Sequence, residues 1–219
     1  MGQAAGTVTI WIAAQFLGAG RFGWDRGWMM TVLYLAAMVC TLIVVRRANP
    51  ELMAERAKWR RKDTKPFDKL FFALMLPLVM VQPFVAGRDA GCAGCESWPF
   101  WLVYPGTALF LGGWALMTWV MVVNRHAETS VRIQTDRGHT VVTWGPYRYV
   151  RHPMYVGVIL VYVGFGLIWG SRWAMWISIA VVALFVWRTA MEDRTLRREL
   201  AGYEDFTTRT RYRLLPGVW

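Results

Sequence analysis

Residues 139–157 read HTVVTWGPYRYVRHPMYVG, a polar and proline-framed stretch set between long apolar runs. It gathers His139, Tyr147, Arg148, Tyr149, Arg151, His152 and Tyr155 just ahead of an apolar segment. Cationic and imidazole groups lose hydration beside a bilayer unless they gain partners, so such a cluster is a functional-site hypothesis by default. Pro146 and Pro153 bias Gly145 and His152 away from helical geometry, so the chain should enter the next helix through a stiff, shaped loop. The plain alternative is a basic collar for lipid headgroups, which needs no glycine-proline frame.

Working outward, the chain has 219 residues, 56% of them hydrophobic, with 14 tryptophans and a net charge of +11. Tryptophan is favoured at the two bilayer interfaces, and this composition is that of a membrane protein. Nucleic-acid binding would place the arginines on a water-facing patch, whereas here they fall in the gaps between apolar runs. The reading is therefore an all-α, polytopic integral membrane protein without a nucleic-acid partner. Candidate spans are 7–19, 28–45, 70–86, 98–123, 154–169 and 173–189, the first and the last two being short for a crossing of about 20 residues. Five to six transmembrane helices follow, depending on whether the first segment crosses or lies on the surface. Gly170, Ser171 and Arg172 should turn the last two into a C-terminal hairpin, and Pro77 and Pro83 should kink the third span. Residues 1–219 read as a single domain.

Charge sets the orientation. The stretch 46–69 holds nine basic residues and 125–151 holds five arginines, while 87–97 holds only Arg88. Basic loops stay inside, so these loops and the tail at 194–213 are expected on the cytoplasmic side. No basic stretch resembling a signal peptide stands near residue 1. Between Arg46 and Lys69, after a break at Pro50, the pattern suggests an amphipathic surface helix with Glu51, Glu55 and Arg56 toward solvent and Leu52, Met53 and Trp59 toward lipid. Cys92 and Cys95 form a CAGC motif without further metal ligands nearby, best read as a loop-closing disulfide or an incidental pair. Cys40 reads as a packing residue, and no metal site is expected.

A second polar cluster, WRTAMEDRTL, follows the last span. On a continuing helix Arg188 and Glu192 share one face, and the same topology puts them on the side of the His152 loop. Two such walls suit a ligand with amino-acid and nucleoside parts: Glu192 for an ammonium or ribose, His152 and Gln134 for a carboxylate or ribose, and Tyr147, Tyr155 or Trp144 as ring faces for a sulfonium. Neither a phosphate-binding GxxxxGK[ST] nor a GxGxxG after a strand occurs, so a soluble-type nucleotide fold is absent.

At these residues the sequence resembles the isoprenylcysteine carboxyl methyltransferase family and its wider membrane relatives, which include phospholipid N-methyltransferases. The resemblance covers roughly 124–216 and runs, in order, through Gln134, His139, Val141 and Val142; Gly145, Tyr147, Arg151, His152, Pro153, Tyr155 and Gly157; Arg188 with Glu192 and Asp193; and a Tyr- and Arg-rich tail from Tyr203 to Pro216. It implies a methyltransferase with a cytoplasmic pocket for S-adenosylmethionine and a lipophilic acceptor arriving from the bilayer. Gln134, His139, Val141, Val142, His152, Tyr155 and Glu192 carry over as cofactor contacts, with Gly145, Tyr147 and Pro153 of the same motif beside them. Arg188 carries over as the group that holds the acceptor, and Arg188 and Glu192 as the catalytic pair. A carboxylate acceptor matches an arginine fork and needs no base, whereas an amine would call on Glu192 or Asp193. The acidic pair is Glu-Asp where many relatives have two glutamates. The arginine-rich composition fits a bacterial inner-membrane protein, for which a small prenylated, lipid or thiol acceptor is expected rather than a protein. Two other readings stay open: a nicotinamide-dependent membrane reductase with a related RHPxY core, and a non-enzymatic scaffold for anionic lipids.

Overall fold

The computed structural model describes residues 2–56, 58, 63–92 and 98–219, with side chains from residue 6 onward. Its described residues form helices and loops without a strand: α1 (Gly2–Ala19), α2 (Asp25–Ala48), α3 (Pro50–Arg56), α4 (Pro66–Gly91), α5 (Val103–Val123), α6 (Pro153–Trp169), α7 (Arg172–Glu199) and α8 (Tyr203–Arg209), with short 3-10 turns at Phe100–Leu102, Thr135–Arg137 and Gly145–Arg148. Four helices, those at 25–48, 66–91, 100–123 and 172–199, are long and apolar enough to cross a membrane. The apolar helices at 6–19 and 153–169 are shorter.

With no water to drive apolar association in lipid, such helices pack through small residues that let backbones approach. The α5–α6 contact does this: a methyl added to Gly113 would lie 2.5 Å from the Gly157 carbonyl oxygen, and one on Gly164 would lie 2.8 Å from that of Gly106. In the α1–α4 contact, Gly87 lies against Gln15 and Gly91 against Ala19, so the two helices run in the same direction. Buried polar groups are hydrogen-bonded between helices: Gln15 Nε2 donates to Thr31 Oγ1 at 2.6 Å, and Gln82 Nε2 donates to Ser178 Oγ at 2.7 Å while its Oε1 is left without a partner among the described residues. Trp11 stacks on Tyr34 at 4.8 Å and Trp169 Nε1 donates to Gln15, so α1 is built into the bundle.

α6 ends at Gly170 with φ +65°, and Ser171 caps α7 by accepting from the Ala174 amide at 3.0 Å. Gly170 is required twice over there: its φ is left-handed, and the Arg26 guanidinium occupies the space a side chain would fill.

Several expectations change. α7 is not short; it continues ten residues past the apolar run, to Glu199, with Asp193 buried against Arg151 and Arg213 while Arg194, Arg197, Arg198 and Glu199 are exposed. Among the described residues the surface helix is Pro50–Arg56, and Leu52, expected toward lipid, is fully buried with Val45 and Met121. Arg56, expected in solvent, turns inward and donates to the Ala127 carbonyl at 2.6 Å. Trp59 lies outside the described residues. Cys92 is disulfide-bonded, Cys95 lies outside the described residues, and Cys40 is free and exposed.

Candidate active site

Three segments converge at the N-terminal end of α6: the loop 124–152, the charged end of α7, and the tail with α8. Pro153 opens α6 at its first turn and His152 precedes it in a non-helical conformation, as proline at that position favours. The loop is tied to the tail by backbone bonds, Arg151 N–H to the Tyr212 carbonyl at 2.9 Å and His152 N–H to that of Arg213 at 3.0 Å.

Asp193 is the knot. Its carboxylate, fully buried, accepts from Arg151 Nε at 2.8 Å, Arg213 Nε at 2.9 Å and the Tyr203 hydroxyl at 3.1 Å, with His152 Nε2 at 3.4 Å. Arg151 also donates to the Thr210 and Arg211 carbonyls. The second carboxylate of the acidic pair therefore holds α7, loop and tail together and has no capacity left to act as a base. Burial, then the Asp193 charge, pushes the Tyr203 hydroxyl far up.

Inside this frame lies a cavity of about 280 Å³. Gln134, His139, Val141, Val142, Tyr147, His152, Tyr155, Arg188 and Glu192 all line it, so residues spread over 59 positions of sequence face one space. Gly145 and Pro153 do not reach the wall. Gly145, at φ +63°, starts the 3-10 turn that aims Tyr147, and Pro153 fixes the start of α6. Trp144 is exposed and lines a separate cavity that shares Thr140, Val141 and Val142.

The wall divides chemically. On one side the His152 ring stacks parallel to Tyr155 at 5.8 Å, and the Tyr155 hydroxyl donates to Glu192. Glu192 has no ion-pair partner among the described residues, so a negative charge is left facing the cavity. His139 accepts at Nδ1 from the Gln134 amide at 3.4 Å, which leaves its Nε2 as the protonated nitrogen. Burial, and then the neighbouring His126, hold His139 down to about 4. The Gln134 side chain is partly engaged: it donates to the His126 carbonyl at 2.8 Å and accepts from Arg137 at 2.7 Å, with the second N–H of its amide without a hydrogen bond among the described residues.

On the other side, Arg188 meets Asp68 Oδ1 at 2.8 Å through Nε, donates to the Thr129 carbonyl at 2.7 Å through Nη2, and lies over the Phe71 ring at 4.5 Å. Asp68 also accepts from the Val131 amide at 2.7 Å. The fork expected to grip an acceptor is thus partly committed: Nε is held in the ion pair with Asp68 without a hydrogen bond, and Nη1 likewise has no hydrogen bond among the described residues. Phe72, Met75, Met117, Val158 and Phe185 continue this side as an apolar surface.

Asp68 and Arg56 are the site residues that sequence reasoning missed. Asp68 carried a signal: it is a carboxylate in the first turn of an apolar helix, PFDKLFF, and ionisable groups in such places are expected to have a named partner. Arg56 gave none, because the AER end of a polar helix looks like any solvated surface.

The described residues thus form an all-helical bundle with four helices long and apolar enough to cross a membrane and a mixed polar and apolar cavity at one end. Residues 101–201 match the family model described as phospholipid methyltransferase, a family that includes isoprenylcysteine carboxyl methyltransferase-like membrane methyltransferases. The matched segment contains the loop, α6 and the Arg188–Glu192–Asp193 run. No curated protein matches the chain.

Proposed function

We propose that the protein transfers a methyl group from S-adenosylmethionine to a lipophilic acceptor drawn from the bilayer, with a carboxylate of the acceptor as the methylated group. The observation that carries this is the two-sided cavity: an unpaired Glu192 with stacked aromatic rings on one wall, Arg188 and apolar side chains on the other. The first wall fits a cationic, nucleoside-bearing cofactor, since Glu192 can accept from an ammonium or ribose, the Tyr155 and Tyr147 rings favour a sulfonium, and His139 Nε2–H and the backbone of Val141 and Val142 remain for polar edges. Bound there, S-adenosylmethionine supplies a methyl group that an oxygen, nitrogen or sulfur nucleophile can accept by direct displacement.

What the residues contribute is position. A carboxylate acceptor is already ionised at neutral pH and needs no base. That suits a site whose other carboxylates are spent, Asp193 on Arg151 and Arg213, Asp68 on Arg188 and the Val131 amide. Alignment and exclusion of water then do most of the catalysis. Arg188 would hold the acceptor through Nη1, while Asp68 and Thr129 fix its guanidinium plane. The basic loops flanking the site support a cytoplasmic orientation in a bacterial inner membrane. A second reading, methylation of a phospholipid amine, is supported by the family description, with Glu192 taking the proton.

The test is transfer of radiolabel from methyl-labelled S-adenosylmethionine by the purified protein in liposomes containing either an S-prenylcysteine or phosphatidylethanolamine. Alkali-labile label on the prenylcysteine is expected, because carboxyl methyl esters hydrolyse in base. Alkali-stable label on the amine would establish the second reading, and oxidation of NADPH without methyl transfer would overturn both.

A further inference from the structure

Arg56 has no place in the chemistry above. It comes from α3, outside the matched family segment, yet its side chain lines the same cavity as Arg188. The two guanidiniums are anchored alike on one short piece of loop: Arg56 Nη1 donates to the Ala127 carbonyl at 2.6 Å, and Arg188 Nη2 to that of Thr129 at 2.7 Å.

The surrounding carboxylates are taken. Glu128, between the two anchors, binds Arg132 through both oxygens at 2.9 Å. Asp68 pairs with Arg188. Among the described residues Arg56 makes no ion pair, and the sequence that follows it, AKWRRK at 57–62, contains no acidic residue. A half-buried cation held by one neutral carbonyl is under-compensated, and an arginine beside another arginine raises that deficit. Burial, and then the Arg188 charge, lower the Arg56 guanidinium from its ordinary value.

We infer that Arg56 and Arg188 form a split anion subsite at the acceptor end of the cavity, taking the carboxylate or phosphodiester of an amphiphile whose tail lies along Phe72, Met75 and Val158. The subsite rests on the methyltransferase reading for its place in a reaction, and it does by two helices what the committed Arg188 fork cannot do alone. An anion bridging Arg56 and Arg188 Nη1 would also fix α3 against the loop, so acceptor binding and closure of this end of the cavity are one event.

The test is calorimetric titration of the full chain in dodecyl maltoside with dodecyl phosphate, dodecanoate and dodecanol, for wild type, Arg56→Gln and Arg56→Lys, with S-adenosylmethionine binding measured on the same samples. Wild type is expected to bind the better anion about ten-fold to a hundred-fold tighter than the alcohol, the range of charge-assisted hydrogen bonds. Arg56→Gln should erase most of that preference, and Arg56→Lys should retain part of it, each with cofactor affinity unchanged. Preference for dodecyl phosphate assigns a phosphate group to the subsite, and preference for dodecanoate a carboxylate. Wild type without anion preference, or Arg56→Gln with the full preference and normal cofactor binding, overturns the subsite. Should Arg56→Gln fail to fold, a full wild-type preference retained in Arg56→Lys also overturns it, since an ammonium cannot reproduce guanidinium geometry. Anion preference in a wild type that binds no S-adenosylmethionine would leave the subsite standing and remove the methyltransferase reading.

Discussion

The two ends of the helix bundle each bury an arginine, and they use it differently. At the C-terminal end of α6, Arg26 donates to the Trp98 carbonyl at 2.6 Å and lies 3.4 Å from the Leu167 and Ile168 carbonyls, the unsatisfied acceptors of a helix terminus. Its donors are aimed at the fold itself. At the N-terminal end of α6, Arg188 and Arg56 spend one hydrogen bond each on a carbonyl and then face a cavity. Arg26 lines a cavity too, so neither burial of a cation nor open space beside it separates the two ends; what differs is that Arg26 spends both terminal nitrogens on the fold's own carbonyls, whereas Arg188 and Arg56 each spend one.

The comparison can be broken most forcefully at Asp193. Asp193→Ala leaves Arg151 and Arg213 without their buried anion, and removing one partner of such a network costs about 3–5 kcal/mol. Thermal unfolding in detergent should show a large drop in midpoint; an unchanged midpoint would mean that Asp193 is not the knot. Glu192→Gln, one residue away, should leave the midpoint nearly unchanged and weaken S-adenosylmethionine binding by about 10- to 100-fold, the loss of a charged hydrogen-bond acceptor. Arg26→Gln should cost about 1–3 kcal/mol of stability by orphaning carbonyls, with cofactor affinity preserved. If it weakened cofactor binding instead, the division between the two ends would fail.

The smallest effect concerns pH. His139 is held down to about 4 from an ordinary 6.5. Below pH 6.5 the unfolded chain takes up a proton that the folded loop does not, so this residue's contribution falls as pH drops from 6.5 toward 4 and is constant above that window. Burial lowers His126 as well, with the same sign. Unfolding midpoints measured across that range should slope less steeply in His139→Gln than in wild type, and equal slopes would contradict the buried, neutral imidazole.

Much of this was legible in the sequence, for physical reasons that differ by region. Apolar runs and the RHP loop are local signals, so the helices and the His152–Tyr155 wall followed from composition and spacing. Arg188 and Glu192 could be set on one face because helical periodicity carries across four residues. What could not be read is commitment. Nothing local says that the Gln134 side chain would bond His126 and Arg137, that Asp193 would serve three arginines, or that Asp68, 120 positions before Arg188, would pair with it. α3 misled for a related reason: a polar seven-residue helix has the same pattern whether its arginine meets water or the inside of a cavity.

The central claim is that the Glu192–Tyr155 wall holds S-adenosylmethionine. Calorimetric titration of the purified protein with S-adenosylmethionine and, separately, with NADPH tests it most directly, using wild type and Glu192→Gln side by side. Saturable binding of S-adenosylmethionine to wild type, weakened in Glu192→Gln and matched by no NADPH binding, is the expected result. Binding of NADPH in its place, or S-adenosylmethionine binding that ignores Glu192, would contradict it.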